Sequence, residues 1–340
     1  MTNEVSAAVT EGRWGVKALQ NRVLGVLVFL VLLSIFFSIA APNFATISNA
    51  NTIILNACIL VIMASAEATV VITRNIDVSV ASILALTAFI GFDLIAKFPG
   101  AGPIMIVVPI LLGAACGAFN GLLVAYARIP WVIVTLGTLS VYRGLAVVYA
   151  GGKQIDPKDV PPWVKQSLFG NVFFGLSTMI VIALVVVAAI SIFLRYTCVG
   201  RKIYAVGSNP DAATFYGLNA SRVVFQAYVI CGALIGLAGY MFGARASYVV
   251  PYFAQGLELP VLGAVLIGGV SVQGGSGNVV GAAIGALVIA TINNGIVLLG
   301  ASEFVRQFIN GMLIVVAVVV DAVILTQVQN LLKSRRRRLA

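Results

Sequence analysis

The chain of 340 residues contains no histidine, and only 9% of its positions are charged against 61% that are hydrophobic. Without imidazole, the commonest general base and metal ligand near neutral pH is missing. Soluble domains use about 25% charged residues, so this composition leaves too little polar surface for a water-soluble fold. Cysteine is scarce too. Cys58, Cys116, Cys198 and Cys231 show no metal-ligand spacing, and three lie in or beside apolar runs, where they read as small hydrophobes. There is no GxxxxGK[ST] phosphate loop; the Gly-Gly-Lys at 151–153 runs into Gln154. The glycine-rich piece GGVSVQGGSGNVVG at 268–281 has neither a preceding strand nor a lysine, and reads as a turn between spans. No catalytic, metal-binding or cofactor-binding residue is therefore expected in this chain.

What the chain has is long apolar runs, together with the 34 glycines that let helices approach closely in lipid. The runs are too long and too continuous for the alternating strands of a barrel. A span takes roughly 20 helical residues, and ten candidates fall at about 23–41, 52–73, 78–96, 103–125, 130–149, 172–194, 222–245, 257–272, 278–299 and 304–325. The expected fold is all-α, with a segment 1–22 ahead of a transmembrane domain over 23–325 and a basic tail over 326–340. The first run reads as a retained span rather than a signal peptide.

The net charge of +10 is distributed as membrane topology requires and not as a nucleic-acid surface. Arg13, Lys17, Arg22, Arg74, Arg128, Arg195, Arg201, Lys202, Arg222, Lys333 and Arg335 to Arg338 make fourteen of the 21 basic residues, and an even number of spans puts all of them on one face. That face is cytoplasmic by the positive-inside rule, so both termini are expected inside a bacterial inner membrane. The segment 150–171, broken by Pro157, Pro161 and Pro162, becomes an outer loop.

Polar groups inside apolar runs are few. Glu67 should face the bundle interior, a cavity or a partner, because a charge at mid-bilayer costs roughly 2.5–3.5 kcal/mol. Arg74, two helical turns further on, is placed to share a wet crevice with it. In TRNIDVSVAS, residues 73–82, Asn75, Asp77 and Ser79 can cap a helix starting near Val78. Asn56, Glu67, Asn75, Asp77, Asn120, Thr138, Asn293 and Asn294 are candidates for a translocation path, with Thr135, Tyr142 and Thr291 as further interior polar groups. Each of them serves equally as a helix-packing hydrogen bonder. As a set with little fixed charge, they suit a neutral polyhydroxylated solute.

A mixed polar and basic island, VGRKIYAVGSNPDAATFYGLNASR at 199–222, interrupts the apolar pattern. Ser208 or Asn209 can cap a short helix, Pro210 can take its first position, and Gly217 can end it. Such a helix presents Phe215 and Tyr216 from a cytoplasmic loop, as a surface for a soluble partner would; the alternative is a helix lying on the inner end of the bundle.

The island, together with TRNIDVSVASILAL at 73–86, GAFNGLLVAYARIPWVIVTLGTLSVYRG at 117–144, LGAVLIGGVSVQGGSGNVVGAAIGAL at 262–287 and NNGIVLLG at 293–300, resembles the permease subunits of ribose-type sugar ABC importers, whose members carry ribose, arabinose, xylose, rhamnose or autoinducer-2. The likeness runs from about 23 to 325, and RNIDVSV at 74–80 looks most like the autoinducer-2 and rhamnose branches. Ala81 stands where much of the family has glycine, and Glu67 where a small or apolar residue is usual. The resemblance implies a ten-helix, type II-like permease working beside a second copy or a related permease. It also implies two cytoplasmic ATP-binding subunits, which use ATP and Mg, and an extracytoplasmic solute-binding protein. In that family the loop 195–221 carries the coupling helix, matched here by Asn209, Pro210, Asp211, Thr214, Phe215, Tyr216 and Gly217. The competing classes are an ion-coupled secondary carrier, for which Glu67 is the candidate group, and a membrane receptor or structural subunit.

Overall fold

The computed structural model describes residues 22–173, 176–246 and 248–319. The basic residues Arg13, Lys17, Lys333 and Arg335 to Arg338 lie outside the described residues, as do the terminal segments to which they belong. The described chain is helical apart from one small hairpin. Helices α1 (Arg22–Ala40), α2 (Ile47–Val71) and α3 (Val80–Lys97) come first. A 3-10 stretch, Pro99–Ile106, turns at Gly102 with φ 66° and leads into α4 (Val107–Gly121), which finishes in a π turn over Leu122–Tyr126. Then follow α5 (Trp131–Ala150), α6 (Pro162–Phe169), the hairpin β1 (Asn171–Phe173) and β2 (Leu176–Ser177), and α7 (Thr178–Tyr196). The rest is α8 (Cys198–Ser208), α9 (Pro210–Phe215), α10 (Ala220–Arg245), α11 (Glu258–Ile267), α12 (Val279–Leu298) and α13, helical over 303–319.

Eight helical units among the described residues are long and apolar enough to cross a membrane: α1, α2, α3, the composite Pro99–Tyr126, α5, α7, α10 and α12. The boundaries depart from the hydropathy reading where side-chain chemistry intervenes. α2 starts at Ile47 rather than 52, because Thr46 Oγ1 accepts the Asn49 N–H at 3.2 Å and caps it. The span expected over 172–194 begins as the hairpin, and its helix starts at Thr178. The segment 257–272 is helical only over the 10 residues of α11, about 15 Å of rise against a hydrocarbon core of about 30 Å. Gly268 ends α11 where a side chain would strike the backbone of Gly281 and Ala282, and the chain continues irregularly, with Ser271 N–H bonded to Ser276 O at 3.1 Å. Non-helical backbone at such depth is tolerated when protein covers it.

The helices sort into two shells. Most of α2, α3, α10 and α12 is buried, 78% of the α2 window for example, whereas α1, with 11%, and α4, α5 and α7 face outward with large apolar side chains. That outer surface is the one lipid wets, since apolar side chains find hydrocarbon as good a solvent as a protein core. The tightest contact joins α4 to α10. A Cβ on Gly113 would run into Gly232 O, one on Gly117 into Tyr228 O, and one on Gly236 into Pro109 O. Spaced four apart, these glycines make one flat stripe per helix and bring the two backbones together.

Gly232→Ala should therefore force α4 and α10 apart and destabilise the protein by roughly 1–3 kcal/mol. Gly137→Ala on α5, where an added Cβ meets nothing within 4 Å, should not. Thermal unfolding midpoints of the detergent-solubilised variants test this, and equal midpoints would mean that the seam gives way at no cost.

Candidate functional site

Three features carry chemistry: a buried polar network at the end of α2, a junction beneath α9, and a cavity at the opposite end of the bundle. The network begins where α2 stops. Arg74 takes a left-handed conformation, φ 67°, and the chain doubles back so that the Asp77 N–H donates to Glu67 Oε1 at 2.9 Å. Asp77 Oδ1 accepts the Ser79 N–H at 2.9 Å and the Ser79 hydroxyl, and Asn120 Nδ2 reaches Asp77 Oδ2 at 3.1 Å and Ser79 Oγ at 2.8 Å. The Tyr142 hydroxyl lies 3.0 Å from Asn120 Oδ1 and 2.9 Å from Cys116 O, and Cys231 Sγ lies 3.8 Å from Glu67 Oε2. Glu67, Asp77, Ser79, Asn120 and Tyr142 are all buried. The carboxylates are thus satisfied by neutral donors drawn from α4, α10 and their own turn, as buried polar groups require, and Tyr142 of α5 holds Asn120 in place.

Two expectations change here. Glu67 and Arg74 share no crevice, because the Arg74 side chain leaves the core and its guanidinium donates to Gly207 O and Ser208 O. The helix after the turn starts at Val80 rather than Val78. Ser79 caps it without a side-chain bond, Asp77 spends its oxygens on Ser79 and Asn120, and Asn75 Nδ2 turns back to Thr73 O at 2.9 Å.

The junction joins three backbones. Gly275 N–H donates to Ile72 O at 2.9 Å, and Gly207 lies so close to both that a Cβ would collide with them. Arg74 covers the last carbonyls of α8, a favourable place for a cation. One residue further on, Asn209 Oδ1 accepts the Ala212 N–H at 3.0 Å and caps α9, with Pro210 in the first position. Thr214 Oγ1 bonds Pro210 O at 2.9 Å, and Gly217, φ 79°, turns the chain toward α10. Phe215 and Tyr216 are 91% and 88% exposed, and Asp211, Thr214 and Gly217 are exposed beside them.

The cavity, about 540 Å³, opens between α2, α10, α12, α13, the loop 253–257 and the start of α11. α10 runs from beside α9 to the cavity, where it delivers Arg245; its 26 residues span about 39 Å. Of the path candidates, Asn56, Asn293 and Asn294 line this space. Asn294 is tied to Asn49 by reciprocal amide bonds of 2.8 and 3.0 Å, and Asn293 Oδ1 accepts from Asn310 Nδ2 at 3.1 Å. Glu67, Asp77 and Asn120 belong instead to the sealed network. Thr138 is buried in α5 with its hydroxyl 3.4 Å from Thr135 O, and Asn75 sits at the turn. Sequence reasoning passed over Thr52, Arg245, Gln255, Glu303, Arg306, Gln307 and Asn310, all of which line the cavity. The spacing of the last four, i, i+3, i+4 and i+7, puts them on one helical face and was the signal that could have found them. Glu303 and Arg306 form an ion pair within that face. Among the described residues, no group of three or more metal-ligating side chains comes together.

A multi-pass helical bundle around a polar cavity, with a capped amphipathic helix projecting from its far end, has the architecture of a membrane permease. The chain belongs to the family described as branched-chain amino acid transport system / permease component, whose model matches residues 49–318. It is 35% identical over 301 residues to the ribose import permease protein RbsC of Escherichia coli (strain K12), covering 87% of this chain and 92% of that protein. It is 33% identical over 304 residues to the Autoinducer 2 import system permease protein LsrC of Escherichia coli O9:H4 (strain HS), covering 88% and 87%. The same protein of Shigella flexneri matches to the same extent. No solved structure matches the chain.

Because Glu67 Oε1 holds a backbone amide, Glu67→Gln should fold and remain thermally stable, since the amide oxygen still accepts from Asp77 N–H. Glu67→Leu should lose about 1–3 kcal/mol by stranding that donor. Unfolding midpoints of the two purified variants decide it, and a leucine variant as stable as wild type would mean that the turn is held by other contacts.

Proposed function

We propose that the chain is the permease subunit of an ATP-driven, binding-protein-dependent importer, moving a small neutral polyhydroxylated solute such as a pentose, a deoxyhexose or autoinducer-2 by alternating access. The observation that carries this reading is α9: a capped helix with two almost fully exposed aromatic side chains, braced by the junction at Ile72, Gly207 and Gly275. Aromatic side chains anchor interfaces because they bury much area at little cost in rotamer entropy. In this reading Asn209, Pro210, Asp211, Thr214, Phe215, Tyr216 and Gly217 meet one of two cytoplasmic ATP-binding subunits, which hydrolyse ATP with Mg. A second permease, identical or related, completes the pore, and an extracytoplasmic binding protein delivers solute to the cavity end. The names of the relatives, one a ribose and one an autoinducer 2 import permease, support the solute class. The ion-coupled alternative loses its candidate group, since Glu67 is buried away from the residues that line the cavity.

The topology follows. Eight long helices, α11 with its irregular continuation, and α13 make ten crossings of an inner membrane, with both termini cytoplasmic. A cysteine placed at Ser334 should react with impermeant reagent only from the cytoplasmic side, and one at Asp159 only from outside. Labelling of both from one side would require an odd number of crossings.

Phe215→Ala should leave the permease inserted yet weaken its hold on the ATP-binding subunit about 30-fold, the effect of losing a central aromatic anchor worth about 2 kcal/mol. Solute uptake and solute-stimulated ATP hydrolysis should fall together. Co-purification and ATPase activity at matched expression measure this, and full assembly and coupling in the Phe215→Ala, Tyr216→Ala double variant would sink the docking role of α9.

A further inference from the structure

Two side chains that line the cavity each have a buried polar atom with no hydrogen-bond partner among the described residues. Asn310 is only 6% exposed, its Nδ2 is bound to Asn293 Oδ1, and its Oδ1 has no hydrogen-bond partner among the described residues. Arg245 is half-buried, and its Nη1, itself buried, is also without a partner there. The carboxylate that lines the cavity, Glu303, is taken by Arg306. Buried polar groups are almost always paired, so a free acceptor and a free donor on two side chains that line one cavity mark where a ligand is to supply the missing bonds.

We propose that Arg245 and Asn310 are the residues that determine solute specificity, and that together they select an uncharged polyol, with a solute hydroxyl donating to Asn310 Oδ1 and a solute oxygen accepting from Arg245 Nη1. The proposal rests on the reading of the chain as a sugar importer. A hydroxyl group both donates and accepts, which matches a site offering one of each. With Arg245 and Arg306 against Glu303, the lining carries a net positive charge, so an ammonium group finds no free counter-charge and is repelled. Of an amino acid, the solute named in the description of the family, Arg245 would suit the carboxylate, but no free acid suits the ammonium group. The remaining wall fits as well. Phe242 and Phe253 both line the cavity, their rings edge to face with centroids 4.9 Å apart, and give an apolar wall for the C–H groups of a sugar ring. At about 540 Å³ the cavity has room for a monosaccharide.

The test uses the whole complex in proteoliposomes, with ATP inside and the solute-loaded binding protein at saturation outside, so that turnover is read and not the affinity of the binding protein. The probes are ribose, its 2-, 3- and 5-deoxy analogues, and leucine. Asn310→Leu and Arg245→Gln should each lower ribose turnover about tenfold, the effect of one lost hydrogen bond. For Asn310→Leu one deoxy analogue should be carried as fast by the variant as by wild type, because the hydroxyl and its acceptor are then both gone and the two losses do not add. An equal proportional loss for every sugar would show that Asn310 acts only on the fold, and unchanged turnover in both variants would show that neither residue touches the solute; either result overturns the proposal. Should leucine at 310 prevent assembly, Asn310→Ala carries the same comparison. A wild-type complex that carries leucine and no pentose would overturn the importer reading itself, and that failure appears before any substitution is made.

Discussion

A buried carboxylate holding one backbone amide sets the course of the chain at the end of α2. Glu67 Oε1 accepts the Asp77 N–H, and with that bond the segment 74–79 folds back into the bundle instead of leaving it. The consequence appears at Arg74, whose left-handed backbone is a conformation that residues with a Cβ seldom adopt. The guanidinium is thereby aimed at the last carbonyls of α8, immediately before α9 begins. One short segment thus belongs both to the sealed core and to the support of the exposed aromatic helix. Arranging this with an acid is costly in hydrocarbon, and it succeeds because donors from Ser79, Asn120 and Cys231 are directed at Glu67 or Asp77.

The two ends of the bundle differ in how their polar groups are closed. At the α9 end the amides and hydroxyls satisfy one another, and glycine contacts at Gly207, Gly268 and Gly275 leave no room for solvent-sized gaps between backbones. At the other end the amides pair only in part. Asn49 and Asn294 close on each other, while Asn310 spends its Nδ2 on Asn293 and keeps its oxygen free. In the proposed importer, a polar cavity at one end and a tightly packed junction at the other is the asymmetry that one conformer of an alternating-access carrier requires.

Much of this was legible in the sequence, for identifiable reasons. Hydropathy located the long helices because twenty apolar residues in a row have few other uses, and Asn209, Pro210 and Gly217 marked α9 because capping is a local property of the chain. The partial crossing by α11 was legible only in the shortness of the run 257–272. Its residues are as apolar as those of a full span, and the cause of its ending, the approach of Gly281 and Ala282, lies in another helix. The division of the path candidates was hidden for the same reason. Asn56 and Asn120 look alike as single amides in apolar runs, and only the packing of α3, α4 and α10 decides that one lines a cavity and the other closes on Asp77. Arg245 was overlooked because a basic residue at the end of a span is ordinary, and Asn310 because a lone amide in an apolar run carries no sign of which helix it meets.

The distance between α9 and the cavity constrains any mechanism built on them. Coupling over about 39 Å needs a packed element that both sites bias, and α10 is such an element: it starts three residues after Gly217, is fixed to α4 along the glycine seam, and ends in Arg245. In the proposed importer, a movement imposed on α9 would be felt at the cavity through the position of that guanidinium. Solute can favour the open conformer only by as much as it binds that conformer better than the closed one. The unmet bonds at Asn310 and Arg245 supply such a preference, since solute can satisfy them only while the cavity exists. The same preference opposes release, so the work of closing the cavity falls to the partner that grips α9 and not to the solute.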